Sequence, residues 1–174
     1  LGRKGLVVGD EVGIAGPLPD NHDTLVRIVS RQPRRTQLRR TADDTDPAER
    51  VIVANADQMG IVASLADPEP SFGLIDRCLV AAYDAGIEPL LILTKADLAS
   101  PDPVLERYAG LDFPIIATRR LTDHTIVIDS DLTEQLTSRT TVLVGHSGVG
   151  KSTLVNALIP EADWDEQIAR WQQI

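Results

Sequence analysis

Cysteine and histidine are scarce in this chain. It contains one cysteine, Cys78, and three scattered histidines. These residues exclude an intrachain disulfide framework and a Cys/His zinc site built within the chain. Long apolar runs are also lacking, since stretches such as Pro89–Leu93 (PLLIL) are far too short to span a bilayer. No signal peptide is visible, so we expect a cytoplasmic protein without a membrane partner. Because the chain starts at Leu1, we also expect it to be truncated.

Acidic residues outnumber basic ones, and this argues against general affinity for nucleic acid. The net charge is −9 over 174 residues, a length that fits one domain or one domain with a small appendage. The exception is Arg31–Arg40 (RQPRRTQLRR), which has five arginines and no acid. The arginine fork suits phosphate, although a charge run can also be a solvated surface. The candidate RNA contacts are Arg31, Arg34, Arg35, Arg39 and Arg40.

A glycine-rich segment near the end of the chain matches the phosphate-binding loop pattern G-x-x-x-x-G-K-[ST]. Gly145–Leu154 (GHSGVGKSTL) follows the β-branched run Thr140–Val144 and opens a predicted helix at Lys151–Ile159. The glycines allow a tight turn that aims backbone N–H groups at phosphates. Lys151 would reach the β- and γ-phosphates, and the Ser152 hydroxyl would bind Mg²⁺.

A second motif follows another predicted strand. Thr94–Leu98 (TKADL) comes directly after PLLIL and resembles the N/T-K-x-D guanine-recognition motif of GTPases. The Asp97 carboxylate would accept hydrogen bonds from the guanine N1–H and amino groups, and the Lys95 stem would pack over the base. Alone, the motif could also be a strand end where Asp97 caps the next helix. The residues predicted to bind GTP or GDP are Thr94, Lys95, Ala96, Asp97, Thr118, Gly145, His146, Ser147, Gly148, Val149, Gly150, Lys151, Ser152 and Thr153.

The order of the two motifs is the reverse of that in an ordinary GTPase, where the phosphate loop comes first. A closed site tolerates this order if the domain is circularly permuted. Apolar runs alternate with helical stretches from Val51 onward, which predicts a parallel α/β sheet. The clearest helix lies at 74–86, with Leu74, Cys78, Leu79, Ala82 and Tyr83 on one face and Gly86 as its stop.

Four regions are predicted along the chain. Residues 1–33 have the short strands and glycine turns of part of a small OB-type β-barrel, and residues 34–50 form a connector. Residues 51–161 form the circularly permuted P-loop GTPase domain, truncated or partly missing. Residues 162–174 form an amphipathic C-terminal helix with Trp164, Ile168 and Trp171 on one face, from a separate domain.

Four segments resemble the circularly permuted GTPase family that acts on the small ribosomal subunit, known as RsgA or YjeQ. They are VVGDEV, ERVIVANADQMGIVASL, LTKADL and GHSGVGKSTLVNAL. The resemblance implies an OB-fold barrel, a permuted GTPase domain and a C-terminal zinc-binding domain. It also implies a monomeric factor that binds the 30S subunit and 16S rRNA late in assembly and hydrolyses GTP with Mg²⁺.

The sequence departs from this family after Ile159. The switch segments and the cysteine/histidine site for a structural Zn²⁺ are absent, so the catalytic residues are unknown and we expect omitted segments. Three functions stay open at this point. They are a ribosome-assembly GTPase, an RNA-binding adaptor that does not hydrolyse its nucleotide, and an ATP-using P-loop enzyme, against which the TKAD motif argues.

Overall fold

The computed structural model describes residues 5–16, 27–43, 46–121 and 126–159, with the backbone alone for residues 41–43 and 46–48. The helix predicted at 162–174 lies outside these residues. The strands are β1 (Val12–Ala15), β2 (Arg27–Arg31), β3 (Gln37–Asp43), β4 (Asp46–Ala54), β5 (Gln58–Ser64), β6 (Glu88–Thr94), β7 (Ile115–Ala117), β8 (Arg119–Arg120), β9 (Ile126–Val127) and β10 (Thr141–Val144). The helices are α1 (Phe72–Asp84), α2 (Asp102–Tyr108), α3 (Ser130–Leu136) and α4 (Lys151–Leu158).

The central element is a four-stranded parallel sheet in the order β10-β5-β6-β7. Every residue of β5 is buried, and in β6 only Glu88 is exposed. Strands of this kind are continuously apolar because helices cover both faces of a parallel sheet. The predicted parallel α/β sheet is therefore confirmed.

Successive residues of β5 and β6 pack into two separate cores, because neighbouring side chains point to opposite faces of a strand. Ile61 and Leu91 belong to the core covered by α1 and α2. Val62 and Ile92 belong to the core with Leu132 of α3 and Leu154 of α4. The α4 helix that follows the glycine-rich loop is thus anchored to the same sheet as the strand that precedes it.

Helix α1 lies two residues nearer the N-terminus than the predicted range 74–86. It ends at Asp84, and Gly86, whose φ of 65° is left-handed, follows its C-cap. Its buried face is turned relative to the prediction. Ile75, Leu79 and Ala82 are buried, whereas the Tyr83 side chain is exposed. The side chains at i, i+4 and i+7, counted from Ile75, form the face that packs against the sheet.

Most of the segment predicted as a connector at 34–50 is instead a β-hairpin, in which β3 pairs antiparallel with β4. Leu38 is its anchor, because this side chain is 6% exposed and packs into the core beneath α1. Arg39, Arg40, Glu49 and Arg50 are exposed, and these charges obscure the alternation of buried and exposed positions in the sequence. The domain boundaries themselves stay predictions.

The N-terminal segment contributes a small antiparallel sheet of β1 and β2. A backbone hydrogen bond of 2.9 Å from the Ala54 N–H to the Val8 carbonyl joins this segment to the end of β4. Short antiparallel strands are present here as the sequence predicts, and the OB-type barrel remains a prediction. In the part of the chain that the structure describes, the helices are too short or too polar to cross a membrane.

Candidate functional site

The glycine-rich loop connects β10 to α4 at the carboxyl edge of the parallel sheet. At Gly145 an added Cβ would lie 2.3 Å from the Val62 carbonyl oxygen, so a side chain cannot be accommodated without movement of the backbone. Gly150 has a φ of 94° and is the residue before α4 begins. Glycine adopts this left-handed conformation without steric cost. The loop therefore has the tight, open backbone that phosphate binding requires.

The Lys151 side chain is folded over this loop. Its Nζ donates hydrogen bonds to the Gly145 carbonyl at 2.8 Å and to the His146 carbonyl at 2.6 Å. An ammonium group has three donors, so two bonds to the loop fix its position and leave a third donor for a ligand. The N-terminus of α4 adds its partial positive charge at the same place.

The TKAD motif leaves the end of β6, two strands from β10 in the sheet. The Thr94 hydroxyl is buried and donates a hydrogen bond of 2.6 Å to the Val149 carbonyl in the glycine-rich loop. An added Cβ at Gly150 would meet Thr94 at 3.8 Å, so the two segments are in close contact. The predicted base-recognition motif and the glycine-rich loop are therefore joined directly, although Thr94 and Val149 are 55 residues apart in the chain.

The Asp97 carboxylate is exposed and held by the chain segment after β7. Its Oδ1 accepts a hydrogen bond of 2.9 Å from the Arg120 backbone N–H. This hydrogen bond lowers the pKa of Asp97 below its ordinary value, so the side chain is an ionised acceptor at neutral pH. Nearby, the Lys95 ammonium donates to the Asp67 carbonyl.

Thr118 has a structural position in the loop that closes this region. Its side chain is buried, and its backbone N–H donates to the Leu93 carbonyl at 2.7 Å. The Thr118 carbonyl in turn accepts a hydrogen bond from the Ala96 N–H at 3.0 Å. Thr118 thus aligns the loop with the TKAD motif and lines a small cavity beside Thr94.

A cleft of about 340 Å³ lies between the two motifs. It is lined by Lys95, Arg120, Ser147, Gly148, Gly150, Lys151, Ser152 and Thr153. Three cationic side chains meet there, which makes the cleft suited to a polyanionic ligand. Arg120 is the residue that sequence reasoning missed. Its only signal was its position two residues after Thr118, which is predicted to bind the nucleotide.

Other predicted residues lie around this cleft. Val149 is the buried residue of the glycine-rich loop, and its carbonyl accepts the hydrogen bond from the Thr94 hydroxyl. His146 and Ser147 also line a second cavity of about 320 Å³, between the glycine-rich loop and the start of α1. Ala96 and Asp97 do not line the cleft, although Asp97 is hydrogen-bonded to the backbone of Arg120, which does.

The candidate RNA-contacting arginines differ in their surroundings. Arg34 forms two hydrogen bonds with the Asp10 carboxylate, at 2.6 Å from Nε and 2.7 Å from Nη2, and both side chains are largely buried. The hydrogen bonds from Arg34 hold the pKa of Asp10 well below its usual range. Arg31 lies 3.7 Å from the same carboxylate. Arg31 and Arg34 thus form ion pairs within the N-terminal segment.

Arg35 and Arg39 also have acidic partners, although they are more exposed. Arg35 is 2.8 Å from Asp57, and Arg39 is 3.5 Å from Glu49. Arg40 is exposed on β3.

For the metal predictions, the described ranges contain no group of three or more His, Cys, Asp or Glu residues that could hold a metal ion.

Comparisons with known proteins agree with this geometry. The family model described as RsgA GTPase matches residues 31–171. The protein named small ribosomal subunit biogenesis GTPase RsgA from Pseudomonas fluorescens is 42% identical over 142 residues, which are 78% of this chain and 40% of that protein. The protein of the same name from Hahella chejuensis is 41% identical over 91% of this chain and 44% of its own length. The chain thus spans less than half the length of these relatives.

Solved structures give the same result. YjeQ from Thermotoga maritima superimposes with a TM-score of 0.65 at 31% identity, covering 90% of this chain and 52% of that one. YloQ, described as a circularly permuted GTPase, superimposes with a TM-score of 0.61 at 29% identity, covering 91% and 53%. The predicted fold, a permuted GTPase domain around a parallel sheet, is confirmed. By its sequence, its sheet and its phosphate loop, the chain belongs to the RsgA GTPase family.

Proposed function

We propose that this protein binds and hydrolyses GTP and acts in the late maturation of the 30S ribosomal subunit. The observation behind the proposal is the direct contact of its two nucleotide motifs. The glycine-rich loop and the TKAD motif meet at one edge of the sheet, where the Thr94 hydroxyl bonds the Val149 carbonyl. In parallel α/β sheets, ligands bind at this carboxyl edge.

The base would be guanine. Asp97 is an ionised acceptor bonded to the backbone of Arg120, which lines the cleft. Guanine offers such an acceptor two donors where adenine offers none in that arrangement. Lys95 lines the cleft next to Asp97, where its apolar stem can cover the base. These features disfavour an ATP-using enzyme.

The phosphates would lie over the glycine-rich loop. Lys151 uses two donors on loop carbonyls and has a third for the β- or γ-phosphate. The Ser152 hydroxyl is exposed to the cleft at the start of α4, and a hard oxygen ligand of this kind suits Mg²⁺. Mg²⁺ would neutralise phosphate charge, while Lys151 and the loop N–H groups hold the phosphates in place.

The partner is inferred from the relatives. Their printed names describe biogenesis of the small ribosomal subunit. We extend this to a cytoplasmic monomer that contacts 16S rRNA in the 30S subunit. The structural Zn²⁺ of the family would need ligands outside the described residues.

The test is GTP turnover by the full-length protein, measured as phosphate release with and without purified small subunits. GTP hydrolysis that rises on addition of subunits is expected. Lys151→Ala should abolish nucleotide binding and turnover, whereas Arg77→Ala on the exposed side of α1 should leave both unchanged. GTP binding without turnover, even with subunits, would favour the adaptor. Equal binding of ATP and GTP would overturn the guanine assignment.

A further inference from the structure

Two arginines stand directly opposite each other on the β3–β4 hairpin. The register of the antiparallel pair places Arg40 of β3 against Arg50 of β4. Directly opposed residues in such a ladder have Cα atoms about 4.5–5.5 Å apart. Like charges at this separation destabilise a hairpin. An anion bound between the two side chains would offset this repulsion.

The neighbouring arginines do not share this arrangement. Arg34 is bound to Asp10, and Arg35 to Asp57. Arg39, next to Arg40, lies near Glu49. Among the side chains that the structure describes, no carboxylate lies within 4.0 Å of Arg40 or Arg50, and both residues are exposed. The hairpin thus separates arginines that stabilise the fold from a cross-strand pair that faces solvent.

A phosphate backbone is the partner that fits this pair best. Each guanidinium can bind a phosphate with two parallel hydrogen bonds, so two adjacent forks can hold two successive phosphates. The net charge of −9 means that most of the surface repels a polyanion. Binding must therefore be concentrated on a local cationic surface such as this one.

We propose that Arg40 and Arg50 together form a phosphate clamp for ribosomal RNA, and that Arg34 and Arg35 serve the fold instead. The clamp rests on the proposed function, because it assumes a ribosomal partner. It assigns to this role Arg50, which lies outside the arginine-rich segment. It also gives different roles to two neighbouring residues of that segment: Arg39, which lies near Glu49, and Arg40, which is assigned to the clamp.

The test compares two double variants of the full-length protein that lose the same charge. The first is Arg40→Gln/Arg50→Gln, and the matched control is Arg39→Gln/Arg77→Gln. Affinity for purified small subunits and for protein-free 16S rRNA is measured between 50 and 200 mM KCl. Each lost phosphate contact makes the plot of log K against log salt shallower by about 0.7–0.9.

The clamp therefore predicts a slope shallower by about 1.4–1.8 in the first variant, with little change in the control. Over this fourfold rise in salt, the wild-type protein should lose about tenfold more affinity than the clamp variant. Arg40→Lys/Arg50→Lys, which keeps both charges, should retain the wild-type slope and guards against a folding artefact.

Three results would overturn the clamp. They are an unchanged slope in a folded clamp variant, an equal loss in the control, and a loss seen with subunits but not with protein-free rRNA, which would indicate a ribosomal protein as the partner. Wild-type protein that binds GTP but neither RNA probe would refute both the clamp and the ribosomal part of the proposed function. In contrast, RNA binding without GTP binding would refute the nucleotide site alone.

Discussion

Replacing Thr94 by valine should uncouple the two halves of the nucleotide site. Valine has the shape of threonine but lacks the hydroxyl that donates to the Val149 carbonyl at 2.6 Å. Both groups are buried, so the carbonyl would lose its partner without gaining water. An unpaired buried acceptor costs about 1–3 kcal/mol. In a domain of this size, that cost lowers Tm by about 2–12 °C.

The same substitution should weaken nucleotide binding, because the loop that holds Val149 loses its tie to β6. A loop that occupies its binding-competent conformation a tenth of the time binds about tenfold more weakly. Thermal unfolding and GDP titration would measure the two effects. Thr137→Val is the matched control, since the Thr137 hydroxyl bonds the Thr133 carbonyl at 2.7 Å on the exposed surface of α3. Equal Tm and equal GDP affinity in the two variants would refute the coupling.

Three further predictions concern the loop, the metal and the N-terminal segment. Gly145→Ala should destabilise the protein by about 1–3 kcal/mol in urea unfolding and weaken GDP binding, whereas Gly110→Ala, where an added Cβ meets nothing within 4 Å, should do neither. Ser152→Ala should reduce the gain in GTP affinity on adding Mg²⁺; an undiminished gain would remove Ser152 from the metal site. Asp10→Asn should cost about 1–3 kcal/mol at pH 7, because Arg34 loses its charged partner and keeps only an amide oxygen and the Gly5 carbonyl. The pKa of Asp10 is lowered from 3.8 in the folded protein, so the stability that Asp10 contributes is complete above pH 3.8 and is lost as the pH falls through the folded pKa. In urea unfolding between pH 2 and 7, the free energy of unfolding of the variant should therefore fall less steeply at acid pH than that of the wild type.

The sequence predicts the elements that depend on local pattern. Strands β5 and β6 are largely continuous apolar runs. The phosphate loop is a short motif in which glycines are needed for the local backbone conformation. The order of the motifs also predicts the permuted domain. Each of these signals is contained within a few residues or in the order of a few segments.

The parts that the sequence did not predict depend on contacts between distant residues. The tie between Thr94 and Val149 arises because β10 and β6 lie on either side of β5. The hairpin was missed because Leu38 is its buried anchor among charged neighbours. The division among the arginines follows from acids elsewhere in the chain, such as the Asp10 that binds Arg34. No property of an arginine-rich segment alone distinguishes a structural guanidinium from an exposed one.

The guanine specificity proposed for Asp97 allows the most direct test of the nucleotide site. Asp97→Asn replaces an acceptor with an amide that can donate, which suits xanthine, whose carbonyl stands where guanine has its amino group. Calorimetric titration of the wild-type and variant proteins with GDP and XDP would measure this exchange. The variant should lose about a hundredfold or more in GDP affinity and gain affinity for XDP. Unchanged GDP affinity together with no gain for XDP would contradict the proposed specificity.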